Sequence, residues 1–212
     1  GKAASDSTSF EEKQYGDIWT NDEYLQFMYE RLIILRELLS EKGSIFLHCD
    51  WHKIHHLRCL MDDIFGAENL RNEIIWCYTG PGSPGMKQFN RKHDNILWYS
   101  KGKDWTFNGD AVRVESEVHS GGFQGLMDNS VSGEYSSKGK IPEDWWEFAV
   151  ASRFKVDGNI RTGYPTEKPY KLISRIIESA SNPGDIVFDC FMGSGTTQAW
   201  HRQWAVYLLH RF

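Results

Sequence analysis

The 212 residues contain no apolar stretch long enough to cross a bilayer. The N-terminal run GKAASDSTSF is polar and lacks the apolar core of a secretion signal. Four cysteines, Cys49, Cys59, Cys77 and Cys190, form no CxxC pair, which argues against a disulfide framework or a cysteine zinc site. That usage points to a reducing, cytoplasmic setting. Positive charge is also in deficit: 24 Lys and Arg face 29 Asp and Glu, for a net charge of -5, so the chain does not coat nucleic acid by bulk charge. The initiating methionine is missing too, so the chain reads as a processed or internal piece of something longer. What is present is enough for a folded α/β domain, since 40% hydrophobic and 14% aromatic residues exclude a disordered chain.

The pattern of apolar residues gives the organisation. Residues 1–20 are polar and irregular. Leu25, Met28, Leu32, Leu35 and Leu39 recur at helical spacing, with Asn21 or Asp22 to cap the start and Lys42-Gly43 to close. SIFLHC (Ser44–Cys49) has the form of a buried strand. Ile54, Leu57, Leu60, Met61, Ile64 and Phe65 then mark a second helix, ended by Gly66. EIIWCY (Glu73–Tyr78) and NILWY (Asn95–Tyr99) read as strands on either side of the loop TGPGSPGMKQ. Residues 101–163 lose this rhythm and read as an irregular insert with some short strands. The core, 1–100, resumes over 164–212 with a helix around Leu172, Ile173, Ile176 and Ile177, a turn at Asn182–Asp185 and a buried strand at Ile186–Phe188. Strands alternating with helices predict an α/β fold with a doubly wound, mostly parallel, Rossmann-like sheet.

One segment carries the most chemical information. IVFDCFMGSGTT (Ile186–Thr197) is a strand, an acid at its carboxyl end, a glycine turn and a helix start. Glycines there let backbone approach a ligand and turn N–H groups into the crevice where open α/β sheets bind ligands. DCFMGSGTT resembles the DPFxGSGTT cofactor motif of the DNA amino-methyltransferases that modify adenine N6 or cytosine N4. YPTEKP (Tyr164–Pro169) is similar to the YPTQKP element that precedes it in the β-class of that family. GSIFLHCDWH, IFGAENLRNEIIW and RKHDNILWYSK resemble further blocks of the class in the same order. The resemblance runs from about Tyr15 to Thr197.

That resemblance implies a methyltransferase-like fold, S-adenosylmethionine as cofactor and double-stranded DNA with a flipped target base as substrate, adenine N6 being favoured. It also implies a restriction endonuclease of the same system as a partner. By the same likeness Phe191, Gly193, Gly195 and Thr196 would line the cofactor, with Asp189, Lys168 and Thr166 near its methionine end. Two departures bear on activity. The family holds the flipped base with (D/N/S)PP(Y/F/W), and no two of the six prolines here are adjacent. In β-class order that motif belongs before Gly1, so the chain is expected to be inactive alone. After Thr197 the family continues to an acid that holds the ribose, whereas QAWHRQWAVYLLHRF contains neither Asp nor Glu. The alternative reading is a catalytically silent remnant that binds nucleic acid or a partner.

Other candidates have simpler explanations beside them. His48, His52, His55 and His56 invite a metal reading, but the likeness to the family's HLDWH block explains the cluster, and no metal is expected. Alternation along SIFLHCD points His48 and Asp50 to one side near the strand's carboxyl end, as pocket residues; helix capping by Asp50 accounts for it equally well. Between residues 71 and 103 six Lys and Arg face two acids. Arg91, Lys92 and His93 in that strip are the nucleic-acid candidates, and a solvated strand entry serves equally well. The 101–163 insert occupies the target-recognition slot of the β-class; most of its aromatics read as its own small core.

Overall fold

A computed structural model describes residues 21–80, 87–115, 139–150, 167–191 and 197. Helix α1 (Asn21–Leu38) opens with Asp22 and Glu23, whose charge suits the positive end of the helix dipole, and carries Arg36 in its last turn. It is followed by β1 (Ser44–Cys49), α2 (Ile54–Phe65) and β2 (Leu70–Cys77), with a 3-10 turn at Ala67–Asn69 between the last two. Helix α2 stops at Gly66, where φ is +89°, a conformation that disfavours any residue with a side chain. Gly66 donates its N–H to Asp62 O at 2.9 Å, and Asn69 Nδ2 donates to Phe65 O at 2.7 Å, so the helix end is satisfied from within the chain.

Strand β3 (His93–Ser100) pairs antiparallel with both β1 and β2, and β4 (Trp145–Glu147) adds to β2 in parallel, giving the order β1-β3-β2-β4. Since β1 and β2 both oppose β3, they run parallel to each other and α2 is the crossover between them. The α/β reading therefore stands, with one refinement. The sheet is mixed, because β3 occupies the gap that a mostly parallel sheet would have closed directly. β4 lies within the 101–163 stretch, so that stretch contributes a strand to the sheet.

The two faces of the sheet bury two cores. Leu47, Leu97 and Tyr99 face α1 and α2, meeting Met28, Leu32, Leu57, Met61 and Phe65. Ile74, Trp76, Ile96 and Trp98 face the other way, against Trp146 and against Leu172 of α3 (Tyr170–Ala180). Trp146 and Phe148 thus pack onto the sheet rather than into a core of their own. On the first face Tyr99 donates its hydroxyl to Asp62 Oδ1 at 2.5 Å, and Arg58 Nε reaches both Asp62 oxygens at 3.2 Å. Burial, then the Asp62 carboxylate, push the Tyr99 hydroxyl well above its ordinary pKa. On the second face Asn108 closes the end of α3, its Nδ2 donating to Ser181 O at 2.8 Å and its N–H to Ser179 O at 2.7 Å.

One expected element is absent. Ile186–Phe188 forms no strand, and Ile186 and Phe188 are 65% and 45% exposed. A strand needs a neighbouring ladder for its backbone groups, and none of the described strands pairs with this segment. The residues 1–20, and QAWHRQWAVYLLHRF apart from its preceding Thr197, lie outside the described residues.

Candidate active site

The second face of the sheet ends in a polar cluster. Trp76 of β2 is directly opposite Asp94 of β3 in the register, and His48 of β1 is opposite Ile96, two residues along the same face. His48 Nε2 lies 3.0 Å from Asp94 Oδ2, and Tyr78 donates its hydroxyl to Asp94 Oδ1 at 3.2 Å. The His48 ring stands 5.9 Å from that of Trp76, which meets Tyr78 edge-on at 5.2 Å. Lys168, just before α3, places its ammonium 6.0 Å from the Trp76 ring centroid.

The electrostatics follow from this packing. Burial acts to raise the Asp94 carboxyl, but the hydrogen bond and charge of His48, the Tyr78 hydroxyl and the Lys168 charge outweigh it, and the group is held below the usual carboxylate range. Asp94 is thus an acceptor only, so the proton of the short contact sits on His48 Nε2. Burial lowers the Lys168 ammonium, and Asp94 pulls it part of the way back. Burial raises the Tyr78 hydroxyl, with Asp94 adding to it. The result is a fixed carboxylate that binds two donors, with a half-buried cation and an indole face beside it.

The sequence-derived candidates divide. His48 and Lys168 join this cluster; Asp50 does not. Its Oδ1 accepts the His52 N–H at 3.0 Å and its Oδ2 lies 2.9 Å from His52 Nδ1, so Asp50 closes the turn between β1 and α2. His52 therefore precedes α2 and shares no helix face with His56; the His55 and His56 rings are 4.0 Å apart. Among the described residues no group of His, Cys, Asp or Glu is arranged to hold a metal ion, and all four cysteines are unpaired. Arg91 stacks its guanidinium 3.7 Å over the Trp51 ring, Lys92 accepts the Tyr78 N–H on its carbonyl at 3.0 Å, and His93 opens β3 opposite Cys77. Asp189 bonds on both sides of the GSG segment: Oδ1 accepts the Phe191 N–H at 3.1 Å and Oδ2 accepts the Thr197 hydroxyl at 2.7 Å. Phe191 is 48% exposed. Thr166, Gly193, Gly195 and Thr196 lie outside the described residues. Sequence reasoning passed over Tyr78 and Trp76 as site residues and met Asp94 only within Lys92-His93-Asp94, which the resemblance sets on the target-base side and a solvated strand entry explains equally well. The signal was available for Asp94, a lone acid two residues before an apolar strand run, but its partner on β1 lies 46 residues away.

Four separate stretches of chain meet in this cluster: the ends of β1 and β2, the start of β3 and the entry to α3. A family profile described as DNA methylase matches residues 5–203, nearly the whole chain. The chain belongs to the DNA methylase family. Type II methyltransferase M.EcaI of Enterobacter cloacae is 28% identical over 90% of this chain and 55% of its own length. DNA adenine methyltransferase YhdJ of Escherichia coli K12 is 30% identical over 86% of this chain and 60% of its own. The chain thus spans somewhat more than half the length of these two relatives. In fold it matches the cytosine-N4-specific PvuII DNA methyltransferase, with a TM-score of 0.62 at 18% identity over 88% of this chain and 65% of that one. A second match is the M1.HpyAVI–SAM complex, with a TM-score of 0.54 at 21% identity over 84% and 72%. Among the described residues no helix is long and apolar enough to cross a membrane.

Proposed function

We propose that this chain carries the cofactor segment and part of the base-side wall of a site-specific DNA amino-methyltransferase. Its reaction moves a methyl group from S-adenosylmethionine to an exocyclic amine of double-stranded DNA. The observation that carries the proposal is the convergence of His48, Trp76, Asp94 and Lys168, each from a different family-like block, on one cluster. Adenine N6 is the proposed target, because a 30% identical relative is named a DNA adenine methyltransferase. A cytoplasmic setting and a companion restriction endonuclease, which the sequence resemblance implies, complete the proposal. The 101–163 stretch is proposed as the target-recognition region.

The residues fit S-adenosylmethionine. Phe191 offers an exposed aromatic face next to the GSG segment, and Asp189 binds Phe191 and Thr197 on either side of it. Lys168, from the block that precedes the GSG segment in sequence, offers a half-buried cation suited to the carboxylate of a methionine moiety. Bound, the cofactor supplies a methyl group on a positively charged sulfur, which an exocyclic amine can take directly with no covalent enzyme–base intermediate. The chain's own residues orient: Asp94 fixes His48 and Tyr78, whose rings pack against buried Trp76. Because the chain holds no adjacent prolines and no acid after Thr197, we propose that alone it transfers no methyl group. It should also bind the cofactor about ten- to hundredfold more weakly than an intact relative, the loss expected for one charge-assisted hydrogen bond of about 1.5–3 kcal/mol. Calorimetry with S-adenosylmethionine tests this. Gly193→Val, which sets a branched side chain where the cofactor must approach, should abolish binding. Equal binding by both forms, or methylation of DNA by the chain alone, would refute the assignment.

A further inference from the structure

At 97%, Phe89 is the most exposed large apolar side chain among the described residues. A single exposed ring is ordinary on a protein surface; its setting is not. The segment 87–93 holds Lys87, Arg91 and Lys92 and no acid, on a chain whose net charge is -5. The base of the loop is fastened three ways. The Tyr78 N–H reaches Lys92 O at 3.0 Å, His93 stands opposite Cys77, and the Arg91 guanidinium sits 3.7 Å over the Trp51 ring while its Nη2 donates to Gln88 Oε1 at 3.4 Å. Through Tyr78, whose hydroxyl bonds to Asp94, the loop is joined directly to the polar cluster.

We propose that Phe89 enters the base stack of duplex DNA and fills the space left by the displaced target base, while Lys87, Arg91 and Lys92 hold the phosphates on either side. This rests on the DNA methylase reading and adds to it a named positioning residue. Extracting a base costs its stacking, and an apolar wedge with a flat face restores part of it. Cations flanking such a wedge fix its depth and register through the backbone, with no reading of sequence. A duplex meets both halves of this surface, since it offers phosphates outside and apolar ring faces within.

The test compares binding of the whole 212-residue chain, at low salt, to a 24-base-pair duplex and to the same duplex with one central abasic site, which presents the gap ready-made. The unaltered chain should prefer the abasic duplex about tenfold, the scale of one aromatic–base stack. Phe89→Ala should erase that preference and leave binding to the intact duplex unchanged; Phe89→Trp should keep it. Arg91→Ala should weaken both duplexes alike and flatten the salt dependence. Equal affinities of the unaltered chain and Phe89→Ala for the abasic duplex would overturn the wedge and leave the methylase reading intact. Failure of the unaltered chain to bind either duplex would overturn the DNA reading and the wedge with it. A fall in sedimentation coefficient of Phe89→Ala without DNA would assign the ring to a contact between two copies and also overturn the wedge.

Discussion

Removing the Asp94 carboxylate should destabilise the chain by an amount that vanishes in acid. Asp94 is 16% exposed and His48 32%, so their contact is partly shielded from water and only partly screened. Two donors depend on the carboxylate, at 3.0 Å from His48 and 3.2 Å from Tyr78. Hydrogen bonds to a charged group are worth about 1.5–3 kcal/mol each, but both donors here can regain water when released. Asp94→Ala should therefore cost about 2 kcal/mol. Asp94→Asn should cost about 1 kcal/mol, since its amide oxygen still serves one donor while its NH2 faces the other. With a urea slope of about 1–3 kcal/mol per molar, the alanine variant should unfold about 1 M earlier at neutral pH. The pH dependence has a definite sign. The native carboxyl titrates below its unfolded value of about 3.9, so its contribution is complete above that pH and is lost as pH falls through the lower native value. Urea titrations followed by tryptophan fluorescence at pH 5 and pH 3 should show the gap between Asp94→Asn and the unaltered chain closing. A gap as wide at pH 3 as at pH 5 would refute this account of the cluster.

Further outcomes follow from the same packing. Lys168→Met should be neutral to stabilising in thermal melts at pH 7, because burial already disfavours the ammonium, and should weaken any binding of S-adenosylmethionine measured by calorimetry. Leu97→Ala, fully buried on the interior strand β3, should cost about 2–5 kcal/mol in urea unfolding. Gly139 has φ +76°, and a Cβ there would overlap the Val114 carbonyl oxygen, so Gly139→Ala should break the Val114–Lys140 bridge, which amide hydrogen exchange at those two residues would report.

Local pattern made most of the elements legible. The leucine and methionine stripe of α1, the run SIFLHC and the apolar face of α2 ending at Gly66 map onto Asn21–Leu38, Ser44–Cys49 and Ile54–Phe65 because each is decided by residues a turn or a pleat apart. The strand order was not legible. Nothing in NILWY says that it lies between β1 and β2, since that depends on pairings such as His48 with Ile96, far apart in sequence. Ile186–Phe188 shows the same limit from the other side: three apolar residues have strand propensity, yet a ladder is a property of two segments. At the cluster, His48 and Lys168 carried block-level signals. Asp94 became visible only once β1 and β3 were set side by side. Of the two readings of Asp50, the local one matches its bonds to His52: the strand ends at Cys49, and alternation no longer governs the next residue.

The position of β3 between two parallel strands also dictates an order of events. β1, α2 and β2 are contiguous in the chain, yet β1 and β2 never touch through a ladder; each waits for residues 93–100 to supply its hydrogen-bonding edge. A ribosome adding roughly 5–20 residues per second leaves those two edges open for seconds before their common partner emerges. During that interval α1 and α2 can cover Leu47, whereas the residues that cover Ile74, Trp146 and Leu172 among them, have not yet been made. The docking of β3 is then a single step that completes both of its ladders and closes the core facing α1 and α2, while the core on the other face still waits for Trp146 and Leu172; substitutions at Ile96, Leu97 and Tyr99 should therefore register as slower folding, whereas those in α3, which joins afterwards, should register as faster unfolding.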